Sequence, residues 1–249
     1  MKILLVNPPN CGRSIPEEEY GIDTIKMIFR GEPLALEVVA GNLDGHDVAI
    51  ADLKAAPNAL DSTLGEFEPD LVGFTGVACE ANTVLRLAEK VKRSSGALVV
   101  VGGHHASCDP GFFNHEAVDY VVVGLGKLSF RELVEALANR TADAGVAGVA
   151  KTHPGGGLKH APRAYSQADL VDDRPPRYDL VAAHRDRYVM SGVGGKVGFV
   201  ASAYGCTHRC TFCSIPTMTG GRYLTHRPAS VLRDMRLLGD VPVVRLVDA

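Results

Sequence analysis

Over the first 140 residues, short apolar runs alternate with amphipathic stretches, the pattern of a parallel α/β sheet. Residues 2–6 read as the first strand, and a polar loop with Pro8, Pro9, Gly12, Pro16 and Glu17, Glu18 and Glu19 follows. Residues 33–43 read as a helix, with Leu34, Leu36, Val38, Val39 and Leu43 as its apolar positions and Gly45 past its end. Residues 47–51, 71–75, 97–101 and 120–123 supply four further strands. Between them, residues 82–92 form a helix whose apolar face carries Val84, Leu85, Leu87, Ala88 and Val91, and residues 128–138 form the next. Each strand runs into a loop bearing glycine or proline. The expected fold is a flavodoxin-like, doubly wound parallel sheet, which takes ligands beyond the carboxyl ends of its strands. There glycine lets backbone approach a ligand closely. The pattern does not say which ligand.

Residues 141–195 change character. Gly145 and Gly148 on one side and Gly155, Gly156 and Gly157 on the other bracket a short hairpin around 149–152, and Pro162, Asp172-Asp173, Pro175-Pro176 and a run of Arg and His follow. This reads as a linker. A fresh strand is expected at 196–203, a helix at 231–238 and a second strand at 241–247. The domain plan is therefore 1–140, a linker over 141–195, and a second unit over 196–249.

Composition changes little in this picture. Hydrophobic residues make up 46% and charged residues 22% of 249, ordinary for a globular chain. A net charge of −3 gives no electrostatic case for nucleic acid or an anionic membrane. The first apolar run is too short for a secretory signal, and no stretch approaches the length of a membrane span. The expected location is the cytoplasm.

The six cysteines are distributed unevenly. Cys11, Cys79 and Cys108 are scattered, whereas Cys206, Cys210 and Cys213 fall within eight residues. In a reducing compartment such a cluster points to a metal or redox site rather than to disulfides. The CxxxCxxC spacing lets three thiolates of one loop converge on a [4Fe–4S] cluster and leaves one iron open. A structural zinc site using the same cysteines with His208 or a distant residue is the competing reading. Cys79 and Cys108 read as small apolar residues. Adjacent His104 and His105 follow a strand and point in different directions, so they do not suit a shared metal.

A strand, then CxxxCxxC with Phe212 at the aromatic position, then a helix and a second strand, resembles the start of a radical S-adenosylmethionine (SAM) barrel. The stretch from Arg222 through Arg227-Pro228 is also similar, with Pro228 suited to a helix's first turn. That resemblance implies that Cys206, Cys210 and Cys213 bind the cluster and that its open iron takes the amino and carboxylate groups of SAM. It also implies electron-driven cleavage of SAM to methionine and a 5′-deoxyadenosyl radical. Asp248 falls where the family contacts the SAM amino group.

Residues 1–140 resemble the cobalamin-binding domain that precedes the barrel in B12-dependent radical SAM enzymes. The resemblance rests on Asn7-Pro8-Pro9, Glu32-Pro33-Leu34, Gly73-Phe74-Thr75, Gly102-Gly103-His104 and Gly124-Leu125-Gly126. It implies cobalamin contacts from Thr75, Gly76, Gly102, Gly103, His104, Gly124, Leu125 and Gly126. The family's Gly-Glu-Gly-Glu appears as Gly124-Leu125-Gly126-Lys127, which removes two carboxylates. The Asp-x-His-x-x-Gly motif of B12 mutases is absent from its expected place, Asn10-Cys11-Gly12-Arg13, so cobalamin is expected to bind without a cobalt-ligating histidine. The implied activity is that of a radical SAM enzyme such as a C-methyltransferase, with a small-molecule or natural-product substrate and a reducing electron donor. The family also holds oxidative cyclases and ring-rearranging enzymes. The readings of another class are a non-catalytic cobalamin-binding module with a vestigial cysteine loop and a flavodoxin-like domain with a zinc knuckle. Residues 196–249 leave room for one strand–helix–strand unit, whereas a barrel needs several more, so weak or no turnover is expected from this chain alone.

Overall fold

The computed structural model describes residues 1–9, 29–141, 145–170, 174–190 and 195–248. Cys11 and most of the polar loop after the first strand, including Asn10 to Arg13, lie outside the described residues, as do Asp172 and Asp173.

The chain opens with β1 (Lys2–Asn7), a two-residue strand β2 (Phe29–Arg30), α1 (Leu34–Ala40) and β3 (Asp47–Asp52). It continues through α2 (Ala59–Phe67), β4 (Leu71–Phe74), α3 (Ala81–Ser94), β5 (Leu98–Val101) and α4 (His104–Cys108). Then come β6 (Tyr120–Val122), α5 (Lys127–Ala138) and β7 (Val149–Lys151). The sheet order is β3-β1-β4-β5-β6-β7, parallel up to β6, with β7 antiparallel on the edge. Apart from that edge strand this is the doubly wound order expected.

Alternation within single strands explains why the sheet is covered on both faces. Ile3 and Leu5 of β1 point to the side where Leu36 and Ala40 of α1 and Phe130, Leu133 and Val134 of α5 pack. Leu4 and Val6 point to the other side, against Leu60 and Leu64 of α2 and Val84, Ala88 and Val91 of α3. Helix α2 was not anticipated. Its Leu60 and Leu64 share one face, but the other positions are mostly small or polar, so the signal in the sequence is thin. Residues 149–151 do not turn back on themselves as a hairpin. They pair with β6, 27 or more residues earlier in the chain, a non-local contact that no local pattern encodes.

Beyond β7, 3-10 turns at Gln167–Leu170 and Tyr178–Arg187 lead to a second sheet. It contains β8 (Val189–Met190), β9 (Gly195–Gly205), β10 (Tyr223–Thr225) and β11 (Val243–Asp248), with α6 (Ile215–Thr219) and α7 (Pro228–Leu237) between the last three strands. β9 pairs antiparallel with β8 and β10 and parallel with β11. The β9–α7–β11 succession is the βαβ unit expected to open a barrel. Val200 of β9 packs with Leu238 and Val231 beside α7, and a Cβ on Gly198 would come 2.7 Å from the Leu238 side chain. That close approach of helix to strand is what the glycine permits.

Candidate functional site

A cavity of about 500 Å³ lies between the carboxyl ends of the first sheet and one face of β9. Its floor comes from strand ends and the loops that follow them: Asn7 after β1, Thr75 after β4, Gly102 to His104 after β5, and Gly124 to Gly126 after β6. Leu34, Ala35 and Val38 of α1 form one wall. The roof is a period-two stripe of β9, Phe199, Ala201, Ala203 and Gly205. The cavity is mostly apolar, and its few polar groups sit at particular places, as in a site for a large, largely hydrophobic ligand.

Two glycines are required by this geometry. Gly103 has φ +92°, and a Cβ there would lie 2.5 Å from Thr75 Oγ1 and 3.0 Å from the Gly76 nitrogen. Gly124 also has φ +92°, and a Cβ would come within 3.0 Å of the Tyr165 ring and hydroxyl. L-residues with side chains rarely adopt such backbone. Buried Ser107 ties the two loops together: its hydroxyl donates to the Gly103 carbonyl at 2.8 Å and accepts from the Gly124 N–H at 2.9 Å.

Of the residues expected from sequence to contact a cofactor, Thr75, Gly102, Gly103, His104, Gly124, Leu125 and Gly126 all line this one cavity. Gly76 lies immediately behind Gly103 and does not line it. Phe212 is 90% exposed and Asp248 is exposed; neither lines the cavity, although Val247 beside Asp248 does, and Asp248 accepts a hydrogen bond from the Ser202 hydroxyl. Asp248 closes β11, whose register with β9 shifts between Val247 and Asp248.

The three cysteines share the loop that follows β9. Cys206 and Cys213 are half-buried and Cys210 is exposed. The His208 N–H donates to Cys206 Sγ at 3.4 Å and the Cys213 N–H to the Cys210 carbonyl at 3.1 Å. Among the described residues no three His, Cys, Asp or Glu side chains are gathered as a formed metal cage.

Sequence reasoning missed several residues of the site. Lys54 faces the cavity and pairs with buried Glu80 at 2.6 Å. Asn7 lines it and donates to buried Asp52 at 2.8 Å. Tyr165, 4% exposed, comes from the connecting segment to cover Gly124, and Arg222 holds its carbonyl at 2.5 Å. Burial pushes the Tyr165 phenol above its ordinary pKa, so it stays protonated. Lys127 opens α5, lines the cavity and is only 5% exposed. The period-two small residues of β9 were the one signal that could have found the roof.

The polar core behind α1 has its own electrostatics. Burial, opposed by Arg185, raises the Glu32 pKa. Glu37 is fully buried, and its carboxyl sits against that of Glu32. Burial, reinforced by the charge of Glu32, holds its pKa well above the usual carboxylate range.

Glycine-ended parallel strands facing a second sheet whose long strand runs into a three-cysteine loop define a class, a ligand-binding doubly wound domain set against the opening of a barrel. Residues 22–134 match the family model of the B12 binding domain. The chain is 32% identical over 248 residues to an uncharacterized methyltransferase of Pyrococcus horikoshii, an alignment covering 96% of this chain and 50% of that protein. It is 26% identical over 296 residues to cytidylyl-2-hydroxyethylphosphonate methyltransferase of Streptomyces wedmorensis, covering 96% and 52%. The chain thus spans about half the length of these curated relatives. Among solved structures it superposes on the radical SAM methyltransferase TsrM of Kitasatospora setae, with cobalamin and a [4Fe–4S] cluster bound (TM-score 0.68, 23% identity, 95% of this chain and 45% of that one). It also superposes on the cobalamin-dependent SAM radical enzyme OxsB with aqua-cobalamin and SAM bound (TM-score 0.69, 16% identity, 99% and 34%). Residues 22–134 thus match a B12 binding domain, and the chain as a whole shares the fold of the corresponding part of these two structures. Among the described residues no helix is long and apolar enough to cross a membrane.

Proposed function

We propose that this chain forms the cofactor-binding part of a cytoplasmic cobalamin-dependent radical SAM enzyme, a methyltransferase acting on carbon. One observation carries the reading. Three loops far apart in sequence, chosen for their glycines, line one cavity, and its roof is the strand that runs into the cysteine loop. The methyltransferase names of the curated relatives support the choice of reaction. The domain plan we adopt is a cobalamin domain over 1–140, a connecting segment over 141–195 and the opening of the radical SAM domain from 196.

Residue types suited to both groups are present. For cobalamin, Gly103 and Gly124 allow the tight loop packing that shapes the cavity floor, and the apolar walls suit a macrocycle. Thr75, Gly102, Gly103, His104, Gly124, Leu125 and Gly126 would hold it, with Gly76 supporting Gly103 from behind. For the cluster, Cys206, Cys210 and Cys213 offer three thiolates on one loop, and the His208 amide already donates to one sulfur, a contact that stabilises a thiolate ligand. Phe212 and Asp248 would contact SAM beside it. When bound, the two groups supply a methyl carrier and a radical source. The chain's own residues do the rest. Ser107 locks the spacing of the two glycine loops, Tyr165 closes the far side of Gly124, and the β9 stripe keeps water from the cavity's upper face.

The test is anaerobic reconstitution with iron, sulfide and hydroxocobalamin, followed by gel filtration and metal analysis. About four irons and one cobalt per chain are expected to be retained. Zinc in place of both refutes the reading, and cobalt without iron reduces it to a cobalamin-binding module.

A further inference from the structure

We propose that Glu32 is a positioning residue: it grips the Phe199 peptide and so fixes the strand that carries the cysteine loop over the cavity. Glu32 lies one residue before Pro33 and α1, in the first domain, and its side chain is fully buried. One carboxylate oxygen accepts the Phe199 N–H at 2.5 Å, and the other is paired with the Arg185 guanidinium. The Phe199 carbonyl accepts the Tyr178 hydroxyl at 3.0 Å. Both main-chain polar groups of one β9 residue are therefore held by buried side chains from outside its sheet.

The reason lies in the pairing of β9. β8 reaches only Gly195 and Lys196, and β10 only residues 203–205, so among the described residues no strand pairs with the middle of β9 along that edge. A buried main-chain N–H left there would cost as much as a lost hydrogen bond. Tyr188 O takes the Val197 N–H at 3.1 Å, and Glu32 takes that of Phe199. Any neutral acceptor could meet that need. A carboxylate does more, because Arg185 fixes it in place and is itself held over the rings of Tyr178 and Tyr188 at 5.9 and 5.8 Å. A buried ion pair gains little stability over apolar packing, so its use here points to geometry. Phe199, Ala201 and Ala203 line the cavity and Cys206 follows Gly205, so a shift at Phe199 is carried along a continuous strand to the first thiol.

The consequence for the cofactors rests on the two-cofactor reading; the grip itself does not. The experiment compares the wild type with Glu32→Gln and Tyr178→Phe. Hydrogen exchange of peptides covering residues 197–203 should speed up roughly tenfold in each variant, because Glu32→Gln replaces a charge-assisted bond anchored by Arg185 with a weaker, unanchored one and Tyr178→Phe removes the bond to the Phe199 carbonyl, with the β1, β4 and β5 peptides unchanged. Tyr178→Phe leaves the ion pair intact and serves if Glu32→Gln does not fold. After reconstitution with hydroxocobalamin, iron and sulfide and then reduction, Glu32→Gln should keep wild-type cobalt and iron contents. The magnetic coupling between the two paramagnetic centres, read by electron paramagnetic resonance, should differ from that of the wild type. A purely structural Glu32 would lower stability and leave that coupling unaltered. Unchanged exchange at 197–203, or an unaltered coupling in Glu32→Gln, overturns the proposal. A wild type that retains neither metal overturns the two-cofactor reading instead, and the exchange result then decides the grip alone.

Discussion

Glu37→Met should make the protein more stable. Glu37 sits within α1, is fully buried, and its carboxyl faces that of Glu32 with no cationic or backbone donor on either oxygen. An unsatisfied buried polar group costs about 1–3 kcal/mol. Methionine has similar length, keeps the volume and removes both polar atoms. We expect a gain of about 2 kcal/mol, which for a chain of this size raises Tm by roughly 4–8 °C. The pH dependence gives a sharper signature. Burial and then the charge of Glu32 raise the Glu37 pKa in the folded state, so the folded protein keeps a proton that the unfolded chain has released. Stability from this group is therefore fully present below the ordinary carboxylate pKa near 4.5 and is lost as pH rises toward the raised value. The loss is at most about 1.4 kcal/mol per pH unit. Urea unfolding of wild type and variant, followed by circular dichroism between pH 5 and pH 8, should show their difference widening as pH rises. A variant less stable than wild type, or a difference independent of pH, would refute this account of the buried acid.

Gly103→Ala should cost about 2–4 kcal/mol, from strained backbone at φ +92° and from a Cβ only 2.5 Å from Thr75 Oγ1, and should abolish hydroxocobalamin binding; an unchanged urea midpoint contradicts it. Ser107→Ala orphans the buried Gly124 N–H and should destabilise by about 1–3 kcal/mol, with weaker hydroxocobalamin binding in an absorbance titration. The triple variant Cys206→Ala, Cys210→Ala, Cys213→Ala should lose all reconstituted iron while its unfolding midpoint stays within ~0.5 kcal/mol of wild type, because the loop is largely exposed. In the reduced cobalamin-loaded protein, electron paramagnetic resonance should show no nitrogen coupling from a histidine on cobalt; observing one would overturn the expected binding mode.

The first domain was legible because its determinants are local. Apart from half-exposed β3, the parallel strands are short apolar runs leading into glycine or proline loops, and buried strands of this kind announce themselves. The glycine loops were legible for the same reason: Gly103 and Gly124 are glycine because φ is positive and the space is taken, a constraint written at single positions. The cysteine loop was legible from spacing alone. What remained hidden depends on distant contacts. Edge strand β7 is fixed by β6, the cover over Gly124 comes from Tyr165, 41 residues later, and the acceptor for Phe199 is Glu32, 167 residues earlier. Glu32 was visible in its Glu32-Pro33-Leu34 motif, but only the fold reveals that its partner is a main-chain N–H of the second sheet. The β9 roof escaped because alanine at alternate positions looks like any small-residue strand until an opposing surface is known.

The most direct test of the central claim is cobalt and iron stoichiometry after anaerobic reconstitution with hydroxocobalamin, iron and sulfide. The account predicts about one cobalt and four irons per chain, with cobalt lost in Gly103→Ala and iron lost in the triple cysteine variant, each without loss of the other. A wild-type chain that carries neither metal through gel filtration, or one that takes up zinc on the three cysteines instead, contradicts it.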